Sequence, residues 1–164
     1  SPEPLTLMAI ADRAEVPRVS LYHFFDSVEA LTDALYARGV EKMMAHVTEL
    51  AQSSDWRQLM TEALSKSRDF YNNNPVEMIL ALSPRSISKV VSLNKTIGRD
   101  VHALLVERAN VSKAPKVGKC CEIAVDIADA VWRKSFFEHG KITPMYHREA
   151  TAAVLLYLER VLAT

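Results

Sequence analysis

Glycine is scarce in this 164-residue chain, which has four in all. No stretch alternates Val, Ile and Thr with polar residues for long enough to build a sheet face. Together these absences exclude a β-sandwich or barrel, which needs many alternating strands joined by turn-forming residues. Cysteine is limited to the adjacent pair Cys120 and Cys121. That spacing makes neither a C-x-x-C redox pair nor a zinc knuckle, so both are read as small hydrophobes and no metal site is expected. No apolar run approaches the length of a membrane span, and no basic segment leads into an apolar one at the start. A cytoplasmic protein with no membrane partner is expected. The sequence also lacks a Gly-rich phosphate loop, an H-E-x-x-H, a G-x-S-x-G and a nucleophile with a paired base. Neither an enzyme nor a bound cofactor is expected.

What the chain does have is 49% hydrophobic residues, enough to bury a core without a disulfide scaffold. Ala, Leu, Glu, Lys and Met recur at helical spacings, which makes the expected class all-α. The most informative stretch is residues 5–35, where two short helical patterns flank a tight break. Ile10, Ala11 and Ala14 give the first an apolar edge, and the small Ala11 lets a second helix cross close by. Pro17 cannot extend the first helix but suits the start of the next. In that second helix Leu21, Phe24 and Phe25 are expected to point inward, leaving Arg18, Ser20, Tyr22 and His23 outside. Such a face fits a major groove, with Tyr22 and Ser20 on phosphates and Arg18 at a base edge. Asp26 and Glu29 form a capping box for a third, longer helix.

The run IADRAEVPRVSLYHFFDSVEAL, Ile10 to Leu31, resembles the DNA-binding signature of the TetR family of dimeric, ligand-responsive transcription regulators. Leu21-Tyr22, Phe25 and Glu29-x-Leu31 carry most of the likeness. The resemblance implies an incomplete N-terminal helix-turn-helix followed by a helical ligand-binding and dimerisation domain. It also implies three partners: double-stranded operator DNA, a small ligand and a second copy of the chain. Family members usually have Gly where Glu15 stands, a Ser or similar cap at Pro17, His at Phe24 and Lys at Val28. Glu15 must therefore accept a turn geometry that glycine adopts freely. Phe24 and Val28 replace polar groups that touch the DNA backbone in relatives, and Leu7 and Met8 stand where relatives often place polar DNA contacts.

Formal charge is zero overall, yet residues 1–50 hold four basic side chains against eight acidic ones, a balance of −4. Phosphate neutralisation by Lys and Arg supplies most non-specific DNA affinity, so an acidic module is a poor start for a DNA binder. Two readings follow. In the first, the sequence begins after a basic helix that would cover the apolar side of Ile10, Leu21 and Phe25, because Ser1-Pro2-Glu3-Pro4 leaves no room for one. In the second, the module keeps the fold as a dimeric small-molecule-binding or interaction module and has lost DNA binding.

The remaining helices are legible from their breaks. Residues 27–50 read as a connecting helix with Leu31, Leu35, Gly39, Met43, Val47 and Leu50 in its apolar stripe, which His46 borders as a partly buried structural histidine. The first domain is accordingly placed at residues 1–50 and the second at 51–164. Helices are expected from Trp56 to Tyr71, from Pro75 to Leu82, from Pro84 to about Ala109, from Val117 to His139 and from Pro144 to Ala163. Asn94 is either a buried amide satisfied by neighbouring backbone or a polar anchor in a ligand pocket, and Ser67 carries the same two readings. The pocket is expected between the helices that start at Trp56, Pro75 and Pro84, lined by Met60, Ser67, Phe70, Tyr71, Met78, Asn94, Gly98 and His102. With no Arg or Lys inside these stripes, its ligand should be small, neutral or weakly polar, and hydrophobic. Glu122, Asp126, Asp129 and Arg133 read as a solvated or intersubunit rim. The last two helices are apolar on more than one face, so Ala124, Ala128, Val131, Val154, Tyr157, Leu158 and Val161 are expected at a dimer interface. The function expected is a transcriptional repressor released by its ligand.

Overall fold

Thr6 opens the first helix by accepting a hydrogen bond from the Ala9 N–H at 3.1 Å, the usual way a threonine satisfies an orphan first-turn donor. The computed structural model describes residues 5–162, and among these it is all-helical, with eight helices. The readings made on Ser1 to Pro4 and on Ala163 lie outside the described residues. Two compact units are present, Ser1–Arg38 and Gly39–Thr164.

The first unit holds α1 (Leu7–Arg13), α2 (Arg18–Phe24) and the start of α3 (Val28–Leu50). Leu7 and Ala11 are the buried residues of α1. Its end is a Schellman closure, in which the Val16 N–H returns to Ala11 O at 3.0 Å and the Glu15 N–H to Asp12 O at 3.3 Å. That motif needs a left-handed residue between its two bonds, and Glu15 supplies it at φ 55°. Glutamate thus occupies the position that favours glycine. Pro17 caps α2, and its carbonyl accepts from the Ser20 N–H at 3.0 Å.

Two expectations about this unit are corrected. Phe24 does not point inward. It is 74% exposed, because Leu21 and Phe25, four residues apart, already share the half-buried side, and Phe24 turns out against the His23 ring edge-on at 5.1 Å. The cap of α3 is Ser27 rather than Asp26: Ser27 Oγ accepts from the Ala30 N–H at 3.0 Å, and its carbonyl takes the Leu31 N–H.

The boundary between the units falls inside α3, at Arg38/Gly39, and not at its C-terminal end. Val40, Met43, Met44 and Val47 are buried, and the Ser67 hydroxyl reaches Met43 Sδ at 3.3 Å, which binds this half of α3 to the second unit. There α4 (Trp56–Asn73), α5 (Pro75–Leu82), α6 (Ile87–Ala109), α7 (Pro115–His139) and α8 (Pro144–Leu162) follow. Asp55 caps α4 by accepting from the Gln58 N–H at 2.8 Å. Pro115 opens α7 two residues before the expected Val117, in the first-turn position where its missing N–H costs nothing. The start of α6 moves the other way, from Pro84 to Ile87. Arg85 Nε donates to Leu80 O at 3.0 Å, tying the intervening segment back to α5 so that Ser86 begins the ladder.

α7 packs between α6 and α8, and α4 lies against α8, α6 and α5. The fully enclosed side chains Leu59, Leu105, Cys121, Ile142, Val154 and Leu158 form the core. Gly98 sets the closest approach of α6 to α7, since a Cβ there would lie 2.5 Å from Glu122 Cα. Asn72 links α4 to the α7–α8 turn, its side chain exchanging hydrogen bonds with the Ile142 backbone at 2.9 and 3.0 Å.

Candidate nucleic-acid interface

All four side chains expected on DNA, Arg18, Ser20, Tyr22 and His23, are exposed on α2, which contributes no buried residue. Val19 joins them at 82% exposure. An α-helix with its outer side chains in solvent and Arg at its N-terminal end has the elements of a groove reader: hydroxyl and phenol donors for phosphate, and a planar fork for a base edge. One feature went unread in the sequence. The Arg18 fork is engaged by Asp12, with Nε to Oδ1 at 2.8 Å and Nη2 to Oδ2 at 2.6 Å. The pairing holds the Asp12 carboxyl below the usual carboxylate range, chiefly through its hydrogen bond to Arg18, and raises Arg18 for the same reason. Both partners are about half exposed, so water competes with the pair. The six-residue spacing across the turn could have signalled it, given that the last turn of α1 lies beside the first turn of α2.

The eight residues expected around one ligand pocket divide into separate groups. Met60, Tyr71 and Met78 are buried. Ser67 and Phe70 face α3, through Met43 Sδ and through the His46 ring, 5.8 Å from that of Phe70. Tyr71 meets Trp132 edge-on at 6.5 Å. Asn94, Gly98 and His102 turn instead toward α7 and the loop before it. Asn94 Nδ2 donates to Asp126 Oδ1 at 2.9 Å, Gly98 abuts Glu122, and a Cβ on Gly118 would lie 3.0 Å from His102 Nδ1. Gly98 and His102 are packing positions of the α6–α7 contact, and Gly98 has no room beside it for a ligand, whereas Asn94 borders a cavity of about 460 Å³ with Val90, Val91 and Ala130.

Of the acidic residues expected on a solvated or intersubunit rim of α7, Asp126 is exposed while Glu122 and Asp129 are half-buried. Asp129 pairs with Arg133 Nε at 2.6 Å in a half-buried ion pair, and Arg133 Nη1 also donates to Ser83 O at 2.9 Å. Burial pushes the Asp129 carboxyl up despite that partner. Cys121 packs as the small hydrophobe expected, its thiol pushed up to about 12 by desolvation, whereas Cys120 is half-buried.

For the interface with a second copy, Ala124, Ala128, Val154 and Leu158 are buried within the single chain. Buried so, they are not open to a partner. Val131, Tyr157 and Val161 are half-buried. The outward faces of the same two helices carry different apolar residues, Ile123 and Phe137 on α7 and Met145 and Leu156 on α8.

No helix among the described residues is long and apolar enough to cross a membrane. Neither a family model nor a curated protein matches this sequence. Among solved structures the chain is similar to a TetR-family transcriptional regulator from Streptomyces coelicolor, at 24% identity and a TM-score of 0.80, over 98% of this chain and 90% of that one. The short helix pair closed by a left-handed residue, the long third helix and the helical second unit therefore belong to one known architecture: the chain has the fold of the TetR-family transcriptional regulators.

Proposed function

We propose that this protein is a DNA-binding transcriptional regulator, acting as a homodimeric cytoplasmic repressor that a small hydrophobic ligand releases from double-stranded operator DNA. The observation that carries this reading is the solvent-facing α2, with Arg18, Ser20, Tyr22 and His23 exposed, on a fold shared with a transcriptional regulator. Tyr22 and Ser20 take phosphates and Arg18 a base edge. The ligand site is placed among Met60, Ser67, Phe70, Tyr71 and Met78. Its support is the concentration of buried methionines, Met43, Met44, Met60 and Met78, whose flexible thioethers adapt to a guest. α3 is continuous from one unit into the other, so a guest that shifts its C-terminal half biases the reading unit through the helix itself. The dimer is assigned to the outward faces of α7 and α8. A gel shift of the protein against the DNA upstream of its own gene tests the reading. A retarded band displaced by specific competitor supports it, and equal retention of scrambled duplex at moderate salt counts against it.

A second reading, a ligand-binding or interaction module of the same fold without DNA binding, is favoured by two observations: the −4 balance of residues 1–50 and the occupation of Arg18 by Asp12. In that case no duplex is retarded at any salt, while thermal-shift responses to apolar ligands persist.

A further inference from the structure

At the end of the second unit where α6 finishes and α7 begins, a cavity of about 510 Å³ opens between the first residue of α4, the 110–114 loop and the end of α8. Trp56, Val117, Val161 and Leu162 give it an apolar wall, Asn110 and Ser112 a polar one, and no Asp or Glu lines it. Lys116 and Arg160 also border it. Among the described residues neither has a carboxylate partner. The nearby acids are already committed: Glu159, next to Arg160 in sequence, is held by Arg57, and Asp55 caps α4. Arg57 itself lies over the Trp56 ring, 4.7 Å from its centroid, which fixes the indole as a flat wall. Ser112 Oγ accepts the Ala114 N–H at 3.2 Å, leaving its own hydroxyl hydrogen to donate. The first turn of α7 has no side-chain cap and adds the partial positive charge of a helix N-terminus.

A recess with one apolar wall, bordered by two cations and no Asp or Glu, matches one kind of guest, a chain or ring with a single negative head. We propose that this cavity binds an amphiphilic monoanion, a carboxylate with a hydrophobic body, whose head pairs with Arg160 and Lys116 while its body lies against Trp56, Val117 and Val161. Arginine presents a planar fork to a carboxylate and lysine a point charge. The guest differs in chemistry from the neutral ligand assigned to the methionine-lined core and occupies another part of the unit.

The test is calorimetric titration of the full chain with decanoate, decanol and decyltrimethylammonium below their micelle concentrations. Decanoate should bind saturably, at least tenfold more tightly than decanol, with affinity falling as salt rises and with a change in tryptophan emission. The Lys116→Gln/Arg160→Gln double variant changes only exposed side chains and should keep the parent's melting temperature while losing at least tenfold in decanoate affinity. Decanol binding should be unchanged. Equal affinity for decanoate and decanol, an unchanged constant in the double variant, or no saturable decanoate heat would each overturn the assignment. None of these readouts involves DNA, so the proposal stands or falls independently of the regulatory reading.

Discussion

Arg18 grips Asp12 with two hydrogen bonds of 2.8 and 2.6 Å, both side chains remaining about half in solvent. The one arginine on the exposed face of α2 is thus bound to a carboxylate from the helix before it. An exposed pair of this kind contributes little to stability, but on the proposed regulatory reading it sets the state from which α2 would meet DNA. Asp12→Asn removes a negative charge beside the proposed DNA-facing side chains and weakens the hold on the fork. We expect it to raise affinity for the cognate duplex several-fold, whereas Arg18→Ala should lower affinity and flatten the preference over scrambled DNA. Gel shifts at fixed salt decide this, and an Asp12→Asn protein with unchanged affinity for both duplexes would show that Arg18 does not reach DNA.

Glu15 closes α1 in the left-handed region at φ 55°, where a side chain meets the following carbonyl. Replacing it with glycine removes that penalty. Glu15→Gly should stabilise the protein by about 1 kcal/mol, a rise of roughly 2–4 °C in Tm for a chain of this length. It also removes one acidic group from a net-acidic segment. A fall in Tm would mean that the glutamate makes a compensating contact.

Much of this architecture was legible because its punctuation is chemical. Pro75, Pro144 and Gly140 stand at helix ends, and Ile10 to Leu31 carries a recognisable motif. What periodicity could not assign was direction. α7 and α8 are apolar on more than one side, so the sequence shows several stripes without saying which neighbour each one meets. Val154 turned out to be fully enclosed while Leu156, two residues on, is 67% exposed. Phe24 was misread for a related reason, since in a seven-residue helix a shift of one position moves a side chain from the inner face to solvent. Gly98 and Asn94 broke the stripe of α6 and suggested a cavity. A glycine breaks a stripe equally well where two backbones touch, and only the neighbouring helix reveals which applies.

Gly98 tests that contact directly. A Cβ there would sit 2.5 Å from Glu122 Cα and 2.8 Å from Glu122 N, both backbone atoms. Alanine is the better helix former by about 1 kcal/mol, so on propensity alone Gly98→Ala would stabilise. The overlap forces α6 and α7 apart, and overpacking costs about 1–3 kcal/mol or more. We expect a net loss of about 1 kcal/mol in urea denaturation, the overpacking cost less the propensity gain. A gain in stability would show that the helices can separate without penalty.

His147 is buried on α8, with Ser65 Oγ 3.3 Å from its Nε2 and Trp132 stacked at a tilt 6.0 Å away. Desolvation lowers its pKa first and Arg68 on α4 second, with Asp69 opposing them. A histidine lowered in the folded state binds fewer protons there than in the unfolded chain. Its contribution is therefore complete above the unfolded value near 6.5 and is lost as pH falls toward the folded value. Denaturation midpoints should drop below pH 6.5 in the parent, and the slope over this window should flatten in His147→Gln. An identical slope in both proteins would place the titrating group elsewhere.

The last prediction separates the outward face of α8 from its inward one. Val154 is fully enclosed within the chain and Leu156 mostly exposed, so the same substitution at each asks two questions two residues apart. Val154→Asp buries a carboxylate with no partner, a penalty comparable to the few kcal/mol that hold a domain together. It should unfold the second unit, with loss of helical circular dichroism. Leu156→Asp leaves the core untouched and should retain helicity and give a cooperative thermal transition. If the stripe of Met145 and Leu156 on α8, beside Ile123 and Phe137 on α7, meets its copy across a two-fold axis, each residue faces its own equivalent region, and Leu156→Asp would bring two carboxylates together at that surface. Sedimentation should then show the parent as a dimer at micromolar concentration and Leu156→Asp as a folded monomer. A parent that sediments as a monomer, or a Leu156→Asp protein that remains dimeric, would remove this face from consideration, because exposure of its apolar residues would then have no second copy to account for it.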